Sequence, residues 1–314
     1  MTGTSIESIT VRPSKWRKIQ KRLIRDRYLY LLALPGVLYY IVFKYAPMWG
    51  VLIAFQNYNP FLGIMNSEWI GFAQFERLFS LSDFWIIFRN TVVISVLNLL
   101  FYFPAPIILA LLLNEVRHYW YKRSLQTVMY LPHFVSWVVI GSLTINFFDS
   151  TGAGTALLER LGYEGKILFD VNYFWGMITL QSIWKEVGWG TILFLAALAG
   201  INPELYEAAR VDGANRWKQM TNITMPQIMF TVVILLILRL GDILELSFDQ
   251  LYIMGNPIIL KVAEVFDTYV YKSGVLQGNY SYATAIGIFK SVVNLILVLS
   301  ANYVARKTSD HALF

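Results

Sequence analysis

The chain has 314 residues, of which 56% are hydrophobic and only 15% charged, whereas soluble domains carry about 25% charged residues, so a fully soluble enzyme is disfavoured. It contains no Cys and three His, which excludes a disulfide-stapled secreted domain and a Cys-ligated metal site and disfavours a His-rich one. The net charge of +6 would suit nucleic acid as well as a membrane surface, so its distribution along the chain decides between these partners.

Six segments are long and apolar enough to cross a membrane, which takes about 20 mostly apolar residues. In chain order they are Tyr28 to about Phe55, the stretch between Arg89 and Glu115, the stretch between Arg123 and Asp149, about Tyr173 to Gly200, about Pro226 to Ser247, and about Tyr282 to Val304. Charged residues interrupt the first, fourth and fifth segments, and a buried core helix is the alternative for any single one. Six such segments in one chain favour membrane spans. The sequence therefore predicts an all-α membrane protein with six transmembrane helices.

Lys and Arg residues concentrate on one side of these spans. That side is formed by both chain ends and the loops after spans two and four, and it carries Arg12, Lys15, Arg17, Lys18, Lys21, Arg22, Arg25, Arg27, Arg117, Lys122, Arg123, Arg210, Arg216, Lys218, Arg306 and Lys307. The loops on the opposite side carry only Arg77, Arg160, Lys166, Lys261 and Lys272. Because Lys and Arg are enriched in cytoplasmic loops, both termini are predicted to be cytoplasmic. The basic excess thus indicates membrane orientation, and no nucleic-acid partner is predicted.

This orientation divides the chain into four predicted parts. They are a basic cytoplasmic tail at 1–27, the first helix with its external loop at 28–88, a five-helix domain at 89–304 and a cytoplasmic tail at 305–314. The first span is predicted to be retained, because it is longer than a signal-peptide core and no A-x-A site follows it. The external loops, at about 56–88, 149–172 and 248–281, mix aromatic residues with Gly, Asn and Pro. They are either plain connections or contacts for an extracellular partner.

The cytoplasmic loop between spans four and five carries strong signals for a short helix. Asn202 is a good N-cap, Pro203 fits the first turn, and Glu204 suits the positive end of the helix dipole. Gly213 can adopt a positive φ and end the helix, and Pro226 opens the next span. A second short helix is predicted between these two residues. The loop is therefore predicted to be a helix-turn-helix on the inner face of the membrane.

One face of the first short helix is suited to docking. Leu205, Ala208 and Ala209 fall on it at i, i+3 and i+4, and the two alanines permit the close approach of another surface. Glu207 and Asp212 are available for bonds to a partner. A generic amphipathic surface loop is the alternative.

The stretch from Glu207 to Pro226 resembles the EAA motif of bacterial binding-protein-dependent ABC importers. The matching residues are Glu207-Ala208-Ala209, Asp212-Gly213-Ala214 and Ile223-Thr224-Met225-Pro226, with Met225 in place of the family's Leu. That exchange is mild, because both side chains are flexible, apolar and of similar volume. The resemblance implies that the loop 200–226 forms a coupling helix in a cleft of an ATPase subunit. The ATPase-coupling residues that it implies are Glu207, Ala208, Ala209, Asp212, Gly213 and Ala214.

The resemblance extends over nearly the whole chain from about Tyr28 and is to carbohydrate-uptake permeases of the LplB and MalF type. The matching stretches are Asn57-Tyr58-Asn59-Pro60-Phe61, Leu113-Asn114-Glu115, Leu131-Pro132-His133-Phe134, Trp184-Lys185-Glu186-Val187-Gly188-Trp189 and Asp267-Thr268-Tyr269-Val270-Tyr271. It implies a type I ABC importer permease fold, with the permease domain at 89–304, in the bacterial cytoplasmic (inner) membrane. The implied substrates are oligosaccharides, including uronate-rich ones released from plant or algal polysaccharides. The implied partners are a second, different permease subunit, two ATPase subunits that hold ATP and Mg, and an extracellular or periplasmic solute-binding protein.

The sequence lacks a phosphate-binding loop of the form G-x-x-x-x-G-K-[ST], and the nearest stretch, at 162–166, has the wrong spacing. The chain is therefore not expected to hydrolyse ATP or to be an enzyme. No catalytic, cofactor-binding or metal-binding residues are predicted in it.

Several ionisable residues lie inside the predicted spans, where each costs about 2.5–3.5 kcal/mol on insertion scales. One interpretation is that they line a polar path for sugar hydroxyls, with Lys185 or Arg239 available to a carboxylate and aromatic side chains available to stack on sugar rings. The substrate-path candidates are Gln181, Trp184, Lys185, Glu186, Arg239, Asp242 and Phe248. The alternative is local pairing, in which Arg239 and Asp242 neutralise each other at i, i+3 and buried amides such as Asn98 bridge helices.

Two other functions fit the same composition. An ion-coupled secondary transporter of a polar solute would use Asp242, Glu245 and Lys185 as coupling groups and would work without an ATPase. A membrane-embedded transferase would need an acidic metal cluster or a catalytic base on a membrane-facing loop, whereas the acidic residues of this chain are scattered. The sequence therefore favours the importer subunit.

Overall fold

The computed structural model describes residue 16 and residues 24–163 and 165–308. Contacts divide the chain into two compact units, Met1–Leu52 and Ile53–Phe314. Most of the predicted basic tail lies outside the described residues, as do residues 309–314; the tail residues concerned are Arg12, Lys15, Arg17, Lys18, Lys21 and Arg22.

An apolar helix dominates the first unit. Helix α1 runs over Arg27–Tyr40, and the helix continues through a wider π turn at Ile41–Tyr45 and a narrower 3-10 stretch at Ala46–Phe55. The segment Arg27–Phe55 has 29 residues and is apolar enough to span a membrane. Its side chains from residue 28 to residue 49 are all exposed, which suits a helix surrounded by lipid.

A short antiparallel pair of strands follows. Strand β1 (Gln56–Asn57) pairs with β2 (Glu68–Trp69), and helix α2 (Gly63–Asn66) lies in the connection between them. Helix α3 (Ala73–Ser80) then packs on the last helix of the chain. The predicted external loop at about 56–88 is therefore folded rather than a plain connection.

Span two is one long helix. It consists of α4 (Ser82–Leu97), a π turn at Asn98–Tyr102 and α5 (Pro104–Glu115). The π turn ends two residues before Pro104, whose missing N–H removes one helical hydrogen bond. The span begins at Ser82, well before the predicted boundary at Arg89, so part of the predicted loop belongs to the helix.

Spans three and four are bent. Span three consists of α6 (Tyr119–Tyr130), a 3-10 turn at Leu131–Phe134 and α7 (Trp137–Phe148), and its two halves meet at 94°. Helix α8 (Ala153–Arg160) follows outside the spans. Span four is α9 (Phe174–Ala199), and the short helix α10 (Pro203–Val211) continues from it at 68°. The sequence predicts an unbroken third span; Pro132 in the 3-10 turn explains the break, because it cannot donate a helical hydrogen bond.

Span five differs from the prediction at both ends. Helix α11 (Arg216–Gln219), a π turn at Met220–Thr224 and α12 (Met225–Gly241) form one continuous helix. The predicted second short helix is thus the beginning of the span, because the wide π turn accommodates Pro226 without a break. The helix stops at Gly241 rather than at Ser247, since the backbone of Asp242 has left the helical region.

The segment between spans five and six, predicted to be an external loop at about 248–281, is folded into short helices and is not a plain connection. It contains α13 (Phe248–Met254), a 3-10 turn at Pro257–Ile259, α14 (Leu260–Ala263), α15 (Phe266–Val270) and a π turn at Tyr271–Leu276. Its buried apolar side chains share one core with residues of spans two and four, among them Ile94, Phe174, Leu251 and Ile259. This segment therefore lies within the helical bundle.

Span six is α16 (Tyr280–Thr308), with 29 residues. In the described part of the chain, four helices are long and apolar enough to cross a membrane, and the two bent pairs bring the number to six. The predicted all-α membrane protein with six transmembrane helices is thereby confirmed.

Candidate functional site

The structure forms the predicted short helix α10 between spans four and five. The side chain of Asn202 caps it: Oδ1 accepts a hydrogen bond from the backbone N–H of Glu204 at 3.0 Å. Pro203 occupies the first turn, where its missing N–H has no helical partner in any case. The predicted beginning of the helix is therefore confirmed.

The end of α10 also follows the prediction. Gly213 has a φ of 72°, a conformation that glycine adopts without steric cost. The N–H groups of Gly213 and Ala214 donate to the carbonyls of Arg210 and Ala209 at 3.1 and 2.8 Å, which is a Schellman motif. Local sequence signals thus define both ends of α10.

Two polar contacts link α10 to span five and span five to span two. The hydroxyls of Tyr206 and Thr224 share a hydrogen bond of 2.9 Å, which ties α10 to the beginning of span five. Nη1 of Arg216 lies 2.7 Å from Oε2 of Glu115, which ties the beginning of span five to the end of span two. A displacement of α10 would therefore reach span five directly and span two through span five.

The outer side of α10 has no cover from the described residues. Leu205 is 41% exposed and Val211 is 89% exposed. Among the implied coupling residues, Ala209 and Ala214 are half-buried, and those that are exposed are Glu207, Ala208, Asp212 and Gly213. The helix and the residue that follows it thus present small and apolar side chains together with the carboxylates of Glu204, Glu207 and Asp212 to their surroundings.

Lys185 of span four stabilises the break in span three. Its side chain is nearly fully buried, and Nζ donates to the carbonyls of His133 and Val135 at 2.5 and 2.9 Å. In an unbroken helix those carbonyls would accept from the N–H groups four residues later, and at the break Lys185 replaces them. Oε1 of Glu186 lies 3.5 Å from the same ammonium group, and the Trp137 ring lies 5.6 Å away. The ammonium group of Lys185 therefore already has hydrogen-bond and ion-pair partners within the protein.

His133 and Trp189 complete the junction between spans three and four. Nδ1 of His133 lies 2.7 Å from Oε2 of Glu186, and its ring stacks on Trp189 with centroids 4.4 Å apart. Gly188 permits this close approach, because a Cβ there would lie 1.9 Å from the carbonyl oxygen of Met129. The two stretches 131–134 and 184–189 are therefore parts of one packed junction.

A polar cavity of about 150 Å³ lies between spans two, four and five, Trp137 of span three and the segment after span five. Its charged lining residues are Glu186, Arg239 and Glu245. Its uncharged polar lining residues are Asn98, Tyr102, Ser182, Ser247 and Gln250. Two of the predicted path residues, Glu186 and Arg239, are thus brought together at this cavity.

Gln181 and Trp184 lie at a different surface. They line a larger, mostly apolar groove of about 930 Å³ formed by spans three and four. Nε2 of Gln181 donates to Oγ1 of Thr144 at 2.9 Å, and its Oε1 accepts from Gln250 at 3.1 Å. Gln181 therefore bridges helices, as the local-pairing alternative expects of a buried amide.

Arg239 and Asp242 do not form the ion pair that the local-pairing alternative suggests. Asp242 is exposed just beyond the end of the helix, and no ion pair joins the two in the described part of the chain. The guanidinium carbon of Arg239 instead lies 5.3 Å from the centre of the Tyr102 ring. Phe248 stacks on Tyr252 with centroids 5.2 Å apart and lies outside the polar cavity.

The predicted path left out residues that the segment after span five contributes. Glu245 and Gln250 line the cavity, although the sequence places them near or beyond the end of a span. Lys290 of span six pairs with Asp267, and its Nζ lies 3.4 Å from Oε1 of Glu245. A lysine inside an apolar span signals a carboxylate partner, but the sequence does not tell which of several acidic residues it is.

The sequence is similar to those of known transport proteins. Residues 102–310 match the family described as binding-protein-dependent transport system inner membrane component. Protein LplB of Bacillus subtilis (strain 168) is 54% identical over 294 residues, which cover 93% of this chain and 92% of that protein. The polygalacturonan/rhamnogalacturonan transport system permease protein YteP of the same organism is 47% identical over 314 residues, which cover 99% of this chain and 97% of that protein.

The fold is similar to those of solved transporters. A chain in the crystal structure of a bacterial ABC transporter involved in the import of the acidic polysaccharide alginate matches with a TM-score of 0.86 at 40% identity, covering 93% of this chain and 100% of that chain. A chain of the bacterial alginate ABC transporter in complex with an alginate pentasaccharide-bound periplasmic protein matches with a TM-score of 0.86 at 39% identity, covering 93% and 99%. The likeness thus extends over nearly the whole chain.

Proposed function

The chain belongs to the family of binding-protein-dependent transport system inner membrane components, and on this basis we propose that α10 is the element through which separate ATPase subunits drive the import of an oligosaccharide. Its fold is that of a type I ABC importer permease, and it is a transmembrane subunit of such a transporter. One observation carries the proposal. Helix α10 is capped at both ends, bonded to span five, which is in turn bonded to span two, and uncovered on its outer side.

The proposed substrate is an oligosaccharide derived from a uronate-rich polysaccharide. Two similar proteins support this class: one belongs to a polygalacturonan/rhamnogalacturonan transport system, and the other to a transporter of the acidic polysaccharide alginate. Their identities of 47% and 40% cover nearly the whole chain, so the resemblance includes the spans that enclose the cavity.

The proposed complex contains this chain, a second and different permease subunit, two ATPase subunits and an extracellular or periplasmic solute-binding protein. A relative in complex with an oligosaccharide-bound periplasmic protein supports the last of these partners. ATP and Mg are assigned to the ATPase subunits, because this chain has no phosphate-binding loop and its described residues contain no cluster of metal ligands. The proposed site is the bacterial inner membrane, with cytoplasmic tails at 1–27 and 305–314 and the permease domain at 89–304.

The proposed mechanism is alternating access driven through α10. Closure of the ATPase pair on ATP moves the cleft that holds α10, and the contacts Tyr206–Thr224 and Arg216–Glu115 pass this movement to spans five and two. Both spans line the polar cavity, so their displacement changes the side from which it is accessible. ATP can shift this equilibrium only by binding one arrangement of the complex more tightly than the other.

The alternative, an ion-coupled secondary transporter, is not favoured. It needs ionisable groups that can load and release an ion in the course of transport. The ammonium of Lys185 is occupied by two backbone carbonyls, and Glu245 lies beside Lys290. Asp242 is exposed at the end of a helix instead of lining the cavity.

The docking of α10 can be tested with cysteine labelling, because the chain contains no Cys. Ala208→Cys places one thiol on the uncovered side of α10, and Lys307→Cys places one on an exposed position near the end of span six. Both variants are to be reconstituted with the second permease subunit, with and without the ATPase subunits, and treated with a soluble maleimide. We expect the ATPase subunits to slow labelling of Ala208→Cys and to leave Lys307→Cys unchanged. Equal labelling of Ala208→Cys in both preparations would exclude the proposed docking.

A further inference from the structure

Two of the three charges that line the polar cavity are already compensated. Glu186 lies 2.7 Å from His133 and 3.5 Å from Lys185. Oε1 of Glu245 lies 3.4 Å from Nζ of Lys290. Both lysines are only 6% exposed and neither lines the cavity, whereas the glutamate beside each of them does.

Arg239 is the third charge, and it has no such partner. Its guanidinium forms no ion pair or hydrogen bond with the described residues, and it rests on the face of the Tyr102 ring at 5.3 Å. A guanidinium carries five N–H donors in a planar fork, and it remains charged at any physiological pH. A charge inside a membrane protein usually pairs or faces a water-filled cavity, and Arg239 has only the cavity. Its donors are therefore available to a ligand.

Asn98, which lines the same cavity, has an acceptor without a donor in the described part of the chain, whereas Arg239 has donors without an acceptor there. Its side chain is 7% exposed, and its Oδ1 is buried without a hydrogen-bond donor among the described residues. Asn98 begins the π turn of span two. A buried acceptor without a donor is destabilising. A hydrogen-bond donor from a ligand would therefore stabilise this oxygen.

We infer that Arg239 and Asn98 form a binding subsite for one uronate unit of the transported oligosaccharide, with the carboxylate on the guanidinium of Arg239 and a ring hydroxyl donating to Oδ1 of Asn98. The inference rests on the proposed function and specifies its substrate. A uronate offers both chemistries on one ring, an anionic acceptor and hydroxyl donors. The cavity volume of about 150 Å³ is roughly ten times the space that one water needs, which leaves room for these groups.

This subsite discriminates by charge. A neutral sugar presents only hydroxyls to Arg239, whereas a carboxylate forms charge-assisted, two-pronged hydrogen bonds with the fork. The carboxylates of Glu186 and Glu245 would repel the carboxylate of a uronate. Lys185 beside Glu186 and Lys290 beside Glu245 offset this repulsion. Arg239 is preferred to Lys185 as the carboxylate ligand, because two backbone carbonyls already accept hydrogen bonds from the Lys185 ammonium.

The test compares an acidic and a neutral substrate of equal length. The probes are a tetragalacturonate and its carboxyl-reduced, uncharged counterpart, each loaded to saturation on the solute-binding protein as checked by calorimetry. ATP-driven uptake of both is measured in proteoliposomes that contain the complete transporter. The variants are Arg239→Gln, Arg239→Lys and Asn98→Leu, and Lys307→Gln is the control that removes an exposed charge outside the cavity lining.

We expect Arg239→Gln to lower the acidic-to-neutral uptake ratio by about tenfold, which corresponds to about 1.4 kcal/mol, while Arg239→Lys restores the preference because the charge remains. Asn98→Leu lowers the uptake of both substrates, and Lys307→Gln changes neither. An unchanged ratio in Arg239→Gln, or an equal loss of both substrates, overturns the subsite while ATP-driven uptake by the unaltered transporter upholds the proposed function. Failure of the unaltered transporter to take up either substrate overturns both.

Discussion

Replacement of Lys185 by methionine is expected to destabilise the junction between spans three and four. Methionine keeps most of the length and the apolar stem of lysine but carries no donor. The carbonyls of His133 and Val135, which accept from Nζ at 2.5 and 2.9 Å, would lose their partner. Inside a membrane protein no bulk water replaces such a donor.

The magnitude follows from these two bonds. Each buried acceptor left without a donor costs about 1–3 kcal/mol, so two cost about 2–6 kcal/mol. Removing a buried ammonium recovers part of its desolvation energy, which puts the expected loss near the lower end, at about 2–3 kcal/mol. For domains of about 150–250 residues this corresponds to a fall of roughly 4–12 °C in the melting temperature.

The assay is thermal unfolding of the purified transporter, followed by the loss of the intact complex in size-exclusion chromatography. Lys307→Met is the matched control, because it makes the same exchange at an exposed position. We expect a lower melting temperature for Lys185→Met and an unchanged one for Lys307→Met. An unshifted melting temperature in Lys185→Met, combined with a selective loss of acidic-substrate uptake, would refute this reasoning and make Lys185 a substrate ligand.

Further predictions concern the packing, coupling and external loops. Gly188→Ala is expected to prevent assembly, because its Cβ would lie 1.9 Å from a carbonyl oxygen of span three, whereas Gly176→Ala on the same helix, with nothing within 4 Å, is tolerated; the yield of intact complex measures both. Arg216→Glu is expected to lower the ATPase stimulation by the loaded binding protein with little loss of stability, since the ion pair is exposed, and adding Glu115→Arg is expected to restore it. The pKa of Asp170 is lowered, first by a hydrogen bond from a backbone N–H two residues later and then by a tyrosine hydroxyl. Its contribution to the stability of the external segment is therefore present above the ordinary Asp pKa and lost as the pH falls through the lowered one, and a carboxyl NMR titration should show a midpoint below 3.8.

Helix α10 shows what local sequence signals can predict. Its N-cap, its first-turn proline and its terminal glycine act within a few residues of each other, so the sequence alone sets both ends of the helix. The apolar spans are predictable for a similar reason, because length and hydropathy are local properties. The six-span architecture follows from these two kinds of signal.

The junction of spans three and four shows what the sequence alone leaves open. Lys185 acts on carbonyls about 50 positions earlier in the chain, and such a contact depends on how the helices pack. The alternative in which Arg239 pairs with Asp242 assumed a helix through both residues, but the helix ends at Gly241. The role of the segment after span five was missed for the same reason, since its short helices are stabilised by a shared core rather than by long periodic runs.

The most direct test of the central claim is substrate uptake into proteoliposomes that contain this chain, its partner permease and the two ATPase subunits, with the loaded solute-binding protein on the outer side and ATP enclosed. We expect uptake that requires hydrolysable ATP and is lost in Glu207→Ala while the complex stays assembled. Uptake by the two permease subunits without the ATPases, driven by an ion gradient alone, would contradict the account.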